Sequence, residues 1–349
     1  MKILQIVDSP WSIGQLCKGI RKYNPQIEWK LIYVPPRDIE DHLKEVQEWT
    51  KWADLVDLKY WNVAWQLIEK IPELKDKKKI LTNNNEKNIL SKDWLMFDAI
   101  VVKTDYCVEK LLPLYTNRVK KIENVPDLDY FEWVEDYPPK VPAVGYAGRI
   151  VPWKGLKEVA KACYELGYPL YLMGAYDKAD YWREIPEEYK EIMHFDYFQC
   201  ADEDRMEFFK NITCYVGNSG PCHEAGTLPF LEAMACGVPI VTTPNGMAAD
   251  IVEDEKDALL VRFNDYEHLK EQIKRVMEDE SLRNRLRTNA WMVIKNYNYQ
   301  WLAKEYEILY NQVLFPNEAP VSVIIPATYD RIELVKDIVV ALNGQTYPN

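Results

Sequence analysis

Short apolar segments rich in β-branched and aromatic residues alternate with amphipathic stretches along the chain, and this alternation limits the fold more than any other feature. In the first part of the sequence the apolar segments lie at 3–7, 29–34, 55–59, 79–82 and 99–103. Helix-like stretches such as 38–51 and 62–71 separate them. Strands that alternate with helices are typical of βαβ units on a parallel sheet. The sequence therefore predicts an α/β fold.

A break divides this pattern into two sets. Residues 126–142 contain four prolines among acidic and aromatic residues, which indicates a boundary or hinge. A second set follows, with strands predicted at 143–147, 170–173, 214–217, 239–242 and 259–262. Helices are predicted at 156–166, 203–211 and 228–236, with one long charged helix from 266 to about 297. We expect two Rossmann-like, doubly wound domains, an N-terminal one at 1–135 and a C-terminal one at 141–298.

The last part of the chain holds two further predicted elements. Apolar residues in 299–315 recur at helical spacing, so this helix either completes the second core or returns to the first domain. After two prolines, 321–326 is an uninterrupted strand-like run followed by a helix-like stretch. One strand and one helix cannot bury a core alone. Residues 321–349 are therefore expected to be the start of a further, truncated domain of a longer protein.

Composition excludes several classes of protein. The net charge of −12 argues against a nucleic-acid partner, because phosphate backbones require a basic surface. No apolar run reaches eighteen residues, and the N-terminus does not resemble a secretory signal. The seven cysteines are scattered, which favours reduced thiols in a cytoplasmic protein. The first 130 residues are near neutral and the remainder is acidic. This difference indicates an anionic partner for the first half, either a lipid surface in peripheral membrane contact or a charged acceptor. The alternative is that the charge difference arises by chance.

The most informative motif lies at 223–237, where a glycine-containing turn precedes a predicted helix. Thr227 is placed to cap that helix, and Pro229 suits its first turn. The free backbone N–H groups of residues 226–228, together with the helix dipole, form an anion site suited to a diphosphate. Glu232 lies one turn further on, and Glu224 lies just before the turn.

A second motif, residues 148–155, follows the first strand of the second domain. Doubly wound sheets bind ligands at the carboxyl ends of their strands, where this loop is expected. Arg149 offers a planar fork for phosphate oxygens, and Lys154 offers a point charge. Together the two cations are suited to neutralise a diphosphate.

The two motifs, in this order, resemble those of family 4 retaining glycosyltransferases, which have the GT-B fold with two Rossmann-like domains facing a cleft. The similarity continues through 237–241, and residues 123–127 are similar to the family's interdomain connector. The piece at 321–331 and 345–349 resembles the opening of family 2 glycosyltransferases of the GT-A fold. The resemblance therefore implies transfer of a sugar from a UDP- or GDP-sugar, with retention of configuration.

The resemblance also implies roles for single residues. Arg149, Lys154 and Glu224 would be catalytic. The nucleotide-sugar donor would be bound by these three and by Gly14, Phe198, Cys200, Gly226, Thr227, Leu228 and Glu232. Glu224 would contact the transferred sugar, Glu232 the ribose, and 198–200 the base. No metal or other cofactor is expected for this domain, although Asp127 and Asp129 spell the DxD of metal-dependent glycosyltransferases.

Residues 1–130 are expected to hold the acceptor, a glycan or glycolipid. Two other functions stay open. The chain is alternatively a nucleotide-sugar-binding module whose catalysis has decayed, or a nucleotide-sugar epimerase on the same fold. NAD-linked oxidoreduction is disfavoured because no GxGxxG follows a strand.

Overall fold

The computed structural model describes residues 1–9, 12–83, 94–176, 179–198, 204–221 and 225–316. In these residues two parallel sheets of six strands each are present, with helices between most successive strands. We call the part built on the first sheet the N-lobe and the part built on the second sheet the C-lobe. The predicted α/β class and its GT-B arrangement are confirmed.

The N-lobe sheet has the strand order β2-β1-β3-β4-β5-β6. Its strands are β1 (Lys2–Val7), β2 (Glu28–Tyr33), β3 (Leu55–Leu58), β4 (Lys78–Thr82), β5 (Ala99–Val102) and β6 (Val119–Lys121). Its helices are α1 (Ser12–Lys22), α2 (Ile39–Trp52), α3 (Trp61–Lys70), α4 (Glu73–Asp76) and α5 (Asp105–Leu111). The central strands are buried along their whole length, which explains their continuous apolar sequences. Strand β6, which is only three residues long, was missed by the sequence pattern.

The C-lobe sheet has the order β12-β11-β10-β7-β8-β9. Its strands are β7 (Val144–Ile150), β8 (Leu170–Tyr176), β9 (Met193–Phe198), β10 (Cys214–Gly217), β11 (Ile240–Thr242) and β12 (Leu259–Leu260). Its helices are α6 (Leu156–Leu166), α7 (Ala179–Arg183), α8 (Glu187–Lys190), α9 (Arg205–Lys210), α10 (Leu228–Cys236), α11 (Met247–Ile251), α12 (Tyr266–Glu278) and α13 (Glu280–Ile294), and α14 (Tyr299–Leu314) ends the described chain.

The single long helix predicted from 266 to about 297 is wrong. The chain leaves helical geometry at Asp279, with φ −100° and ψ 102°. The Asp279 carboxylate accepts a hydrogen bond from Leu282 N at 2.9 Å and so caps α13. Aspartate stabilises a helix N-terminus in this way, and the charged pattern on both sides concealed the break.

The proline-containing connector after β6 packs tightly against the C-lobe. Arg287 donates to the carbonyl oxygens of Val134 at 2.6 Å and Gly237 at 2.8 Å. Its guanidinium lies 4.2 Å from the ring centroid of Trp133 and 4.0 Å from that of Tyr137. The connector is therefore held by a buried cation between two aromatic rings.

Helix α14 returns to the N-lobe, where it packs against α1 and the sheet. Tyr310 donates to the buried Asp57 carboxylate at 2.6 Å, and the Tyr306 hydroxyl lies 3.0 Å from Thr82 Oγ1. Lys59 Nζ is 2.7 Å from the same Asp57 oxygen and 3.7 Å from the Tyr306 ring centroid. A buried polar network thus joins the end of the chain to the first sheet.

Candidate functional site

The carboxyl ends of the C-lobe strands hold both sequence motifs. Strands β7 and β10 are neighbours in the sheet, and the two motifs follow these two strands. Because all the strands are parallel, both loops leave the sheet at the same edge. This topology places the cationic loop and the segment that leads to α10 at the same edge of the sheet.

Direct contacts join the two loops. Gly220 N donates to Trp153 O at 2.7 Å, and Asn218 Nδ2 donates to Gly155 O at 3.4 Å. Gly155 has a left-handed φ of 60°, and a Cβ at this position would lie 2.4 Å from Asn218 Nδ2. Only glycine both adopts this left-handed backbone conformation readily and avoids a clash with Asn218.

The two predicted cations occupy different environments. Arg149 is exposed near the end of β7, and its guanidinium lies 5.9 Å from the Trp153 ring centroid. Lys154 ends the 3-10 turn Pro152–Lys154 and is only 8% exposed. A Cβ on Gly148 would lie 3.6 Å from Lys154 Nζ, so this ammonium lies over the end of β7. One exposed cation and one buried cation therefore border the same loop.

Arg149 also faces the N-lobe. Burial raises the pKa of the Tyr60 hydroxyl, Asp8 raises it further, and the positive charge of Arg149 opposes both. Asp8 directly follows β1, and Tyr60 lies just beyond β3. The carboxyl edges of the two sheets therefore face each other across a cleft that has Arg149 on one side and Asp8 with Tyr60 on the other.

Asp8 was not singled out from the sequence. Burial raises the pKa of its carboxyl, and the backbone N–H groups of Asp8 and Ser9 and the Ser9 hydroxyl oppose that effect. Within the described part of the chain, Asp8 Oδ1 is buried without a hydrogen-bond partner. An acidic side chain in this position is suited to accept a hydrogen bond from a hydroxyl group of a bound molecule.

The turn at residues 225–228 leads into α10 as predicted. Thr227 occupies the N-cap position and Pro229 lies in the first turn. The expected capping bond from the Thr227 side chain is not formed, because its hydroxyl accepts from none of the helix N–H groups. Among the described residues, the Thr227 side chain therefore does not satisfy the first N–H groups of α10.

Glu232 lies one turn into α10 and is 1% exposed. Its Oε1 pairs with the Nη2 atom of Arg205, the first residue of α9. The Arg205 guanidinium also lies 5.3 Å from the Phe131 ring centroid. The sequence pattern missed Arg205, which is separated from Glu232 by 27 residues and carries no local signal.

The remaining predicted residues are spread over both lobes. Gly14 is buried in the first turn of α1, where a Cβ would lie 2.8 Å from Ser9 O. Phe198 ends β9 and pairs in register with Gly174 of β8, so it belongs to the same carboxyl edge as Arg149. Glu224 and Cys200 lie outside the described residues, as do residues 317–349 with the predicted further domain.

The described residues contain no group of three or more side chains arranged to hold a metal ion. In the DxD at 127–129, Asp129 Oδ2 is 2.6 Å from Lys22 Nζ and also accepts from the Tyr23 hydroxyl. Within the same described ranges, no helix has the length and apolar character that a membrane span requires.

With this geometry established, comparisons with known proteins identify the class. Residues 131–291 match the family model described as glycosyl transferases group 1. This region includes the cationic loop, the turn at 225–228, α10 and Arg205. Residues 131–291 are therefore similar to group 1 glycosyl transferases, in a chain that has the GT-B fold.

Particular relatives agree with this class. The chain is 28% identical over 190 residues to the capsular polysaccharide biosynthesis glycosyltransferase CapM of Staphylococcus aureus, covering 50% of this chain and 47% of CapM. The chain thus spans about half the length of the curated relatives it matches.

Solved structures extend the likeness to most of the described chain. Sucrose-phosphate synthase from Thermosynechococcus elongatus has a TM-score of 0.73 at 19% identity, with 91% of this chain and 100% of that one covered. HepE of Anabaena, solved in complex with UDP and glucose, has a TM-score of 0.73 at 15% identity, with 89% and 100% covered. At these identities the likeness shows the fold.

Proposed function

We propose that the chain transfers a sugar from a UDP- or GDP-sugar to a glycan or glycolipid acceptor, with retention of configuration and without a metal ion. The observation that carries the proposal is the hydrogen-bonded union of the Arg149–Lys154 loop with the loop that leads to α10. It brings two cations to the edge of the sheet at which the N-terminus of α10 lies. HepE, which shares the fold, was solved in complex with UDP, and this supports a nucleotide diphosphate as the class of ligand.

In this proposal the diphosphate of the donor lies between the cationic loop and the turn at 225–228. Lys154, fixed by burial, holds a phosphate oxygen, and Arg149 approaches from the cleft side. The N–H groups of residues 226–228 donate to the remaining oxygens. Glu232 is proposed to accept from the ribose and Glu224 from the transferred sugar.

The reaction breaks the bond between the anomeric carbon and the β-phosphate oxygen, whose electron pair stays on the phosphate. The acceptor oxygen forms the new bond from the same face, and its proton passes to the leaving phosphate. Negative charge grows on the diphosphate as this occurs, so fixed cations and N–H donors stabilise the transition state more than the ground state. Closure of the cleft excludes water, which would otherwise compete as acceptor.

The acceptor is proposed to bind against the N-lobe edge of the cleft, near Asp8 and Tyr60. The glycan or glycolipid class is supported by CapM, whose name places it in capsular polysaccharide biosynthesis. Peripheral contact with a lipid surface through the N-lobe belongs to the same proposal.

Thermal unfolding in the presence of a panel of UDP- and GDP-sugars tests the donor site, because ligand binding adds directly to stability. We expect one donor to raise the melting temperature of the wild type and to lose that effect in Arg149→Ala and Lys154→Ala. Transfer by either variant should fall about 100-fold or more. Arg275→Ala is the matched control, because it removes an arginine of α12 that pairs with Glu255. This variant should retain donor binding and transfer.

The outcomes separate the competing functions. Unchanged donor binding and transfer in both cation variants would contradict the proposed site. Donor binding by the wild type without any turnover would indicate a binding module. Release of a changed nucleotide sugar in the absence of acceptor would indicate an epimerase.

A further inference from the structure

The turn at 225–228 is held from the opposite lobe as well as from its own. Asn124 belongs to the connector that follows β6, and its Nδ2 donates to Gly226 O at 2.9 Å. Asn124 is only 5% exposed. Because a backbone carbonyl can only accept, this contact fixes which end of the amide faces the turn. A single side chain therefore joins the connector to the donor turn.

Close packing leaves this turn little freedom. A Cβ on Gly226 would lie 2.7 Å from Met247 Sδ and 3.1 Å from Asn124 Nδ2. Met247 N also donates to Ala225 O at 2.8 Å. The turn is thus enclosed between Asn124 on one side and the first residue of α11 on the other.

Helix α11 leads from the turn to a second contact between the lobes. Asp250, near its other end, accepts from Asp105 N, at the start of α5, at 2.9 Å. Asp250 Oδ2 is also 3.0 Å from Lys121 Nζ, at the end of β6. Burial disfavours the charged form of Lys121, but Asp105 and Asp250 outweigh burial and raise its pKa. The side chain of Asp250 is only 10% exposed, so water screens this ion pair weakly.

We infer that Asn124 and Asp250 are positioning residues that hold the donor turn in its binding geometry from the N-lobe side. Asn124 acts on Gly226 directly, and Asp250 acts through α11 and Met247. Both contacts join residues on opposite sides of the boundary between the lobes, so the geometry of the turn depends on how the two lobes are placed. This inference rests on the proposed function, since it assigns the turn to the donor diphosphate.

Asn124→Ala and Asp250→Asn test the inference. Asn124→Ala removes the donor to Gly226, while Asp250→Asn keeps the shape of the side chain and removes its charge. We expect each variant to raise the donor KM at least five-fold while the acceptor KM stays within two-fold. The amides of 225–228 and 247–251 should exchange with deuterium faster than in the wild type when no donor is present.

Asp98→Asn is a matched control inside the N-lobe. Asp98 accepts from Lys79 N at 2.9 Å and from Lys78 Nζ at 2.8 Å. Like Asp250, it therefore binds one backbone N–H group and one lysine ammonium. This variant should leave the donor KM and the exchange of 225–228 unchanged. An equal effect of Asp98→Asn and Asp250→Asn would show a general loss of stability and would overturn the inference.

Failure of the inference is distinct from failure of the proposed function. If the wild type binds no UDP- or GDP-sugar, the proposed function is wrong, whatever the variants do. If the wild type binds a donor and both variants retain its KM and the wild-type exchange of the turn, the positioning role is wrong and the donor site stands. If Asn124→Ala does not fold, Asp250→Asn alone decides between these outcomes.

Discussion

Lys59 directly follows β3 and Lys103 directly follows β5, on either side of β4 in the N-lobe sheet, and both are nearly inaccessible to water. Lys59 is 2% exposed and Lys103 is 1% exposed. With Thr82 and Tyr306 they line a cavity of about 10 Å³, which is the size of one water molecule. Burial disfavours the charged form of Lys59, but Asp57 outweighs burial and raises its pKa. The Asp57 carboxylate therefore stabilises the charged form of Lys59 in the site that the two lysines share.

The pKa of Lys103 is shifted in the opposite direction. Burial and the nearby charge of Lys59 lower the pKa of its ammonium to about 7, while Glu123 and Asp57 act in the other direction. Its Nζ donates to Ile122 O at 2.8 Å. Between this value and the ordinary one near 10.5, the unfolded chain binds a proton at Lys103 that the folded chain lacks. The contribution of Lys103 to folding therefore becomes more favourable as pH rises through this window.

Chemical denaturation of the wild type and Lys103→Met at pH 7, 8 and 9 measures this effect. We expect the free energy of unfolding of the wild type to rise relative to the variant with increasing pH. The rise is bounded at about 1.4 kcal/mol per pH unit. Other titrating groups are common to both proteins and cancel in the difference. Parallel pH profiles would contradict the assigned pKa.

At the scale of elements, α10 and α14 show two ways in which a helix is fixed by partners outside itself. Helix α10 is buried on nearly all sides, and its only charged residue, Glu232, is paired with Arg205 of α9. Helix α14 buries two tyrosines against the polar network of the N-lobe. Breaking a buried pair by removal of one partner is costly, because the other group stays buried.

Tyr310→Phe tests the attachment of α14. The variant removes the hydroxyl that donates to Asp57 and leaves the carboxylate with Lys59 and Gln5. We expect a loss of about 1–3 kcal/mol in the free energy of unfolding. Chemical denaturation measures it, with Tyr164→Phe, at a tyrosine that is 42% exposed, as control. An equal, small effect of both changes would show that the Tyr310 hydroxyl contributes nothing to stability.

At the scale of the whole molecule, the two lobes share one hydrophobic core cluster. That cluster contains Ile3 and Leu55 of the N-lobe, Leu231 of the C-lobe, and Tyr306 of α14. Phe131 of the connector belongs to it and contacts Phe209 with a ring-centroid distance of 5.8 Å. A continuous core couples the stability of the parts that it joins.

Calorimetry tests this coupling. We expect the wild type to unfold in one transition, and Phe131→Ala to lower its midpoint without splitting it. The loss should be about 3–5 kcal/mol, the usual range for removal of a buried phenylalanine. Two separate transitions, of which only one responds to Phe131→Ala, would show that the lobes unfold independently.

The amino-acid sequence by itself determined the α/β class, the strands of the two sets other than β6 and β9, and the order of the Arg149–Lys154 loop and α10. These features are encoded locally, in runs of apolar residues, in helix periodicity and in the glycine, threonine and proline at 226, 227 and 229. Whether a loop and a helix N-terminus meet at one edge also follows from strand order, which parallel topology strongly limits.

Only the tertiary structure decided which distant side chains meet. The pairing of Arg205 with Glu232, the contact of Asn124 with Gly226 and the burial of Lys103 carry no periodic signal. Helical spacing predicted α14 but left open which lobe it joins, and its hydrogen bond to Asp57 decides this. The energy of each of these features depends on exclusion of water by the surrounding fold. A local pattern cannot predict such exclusion, because a lysine or an asparagine at the end of a strand is solvated until the other elements cover it.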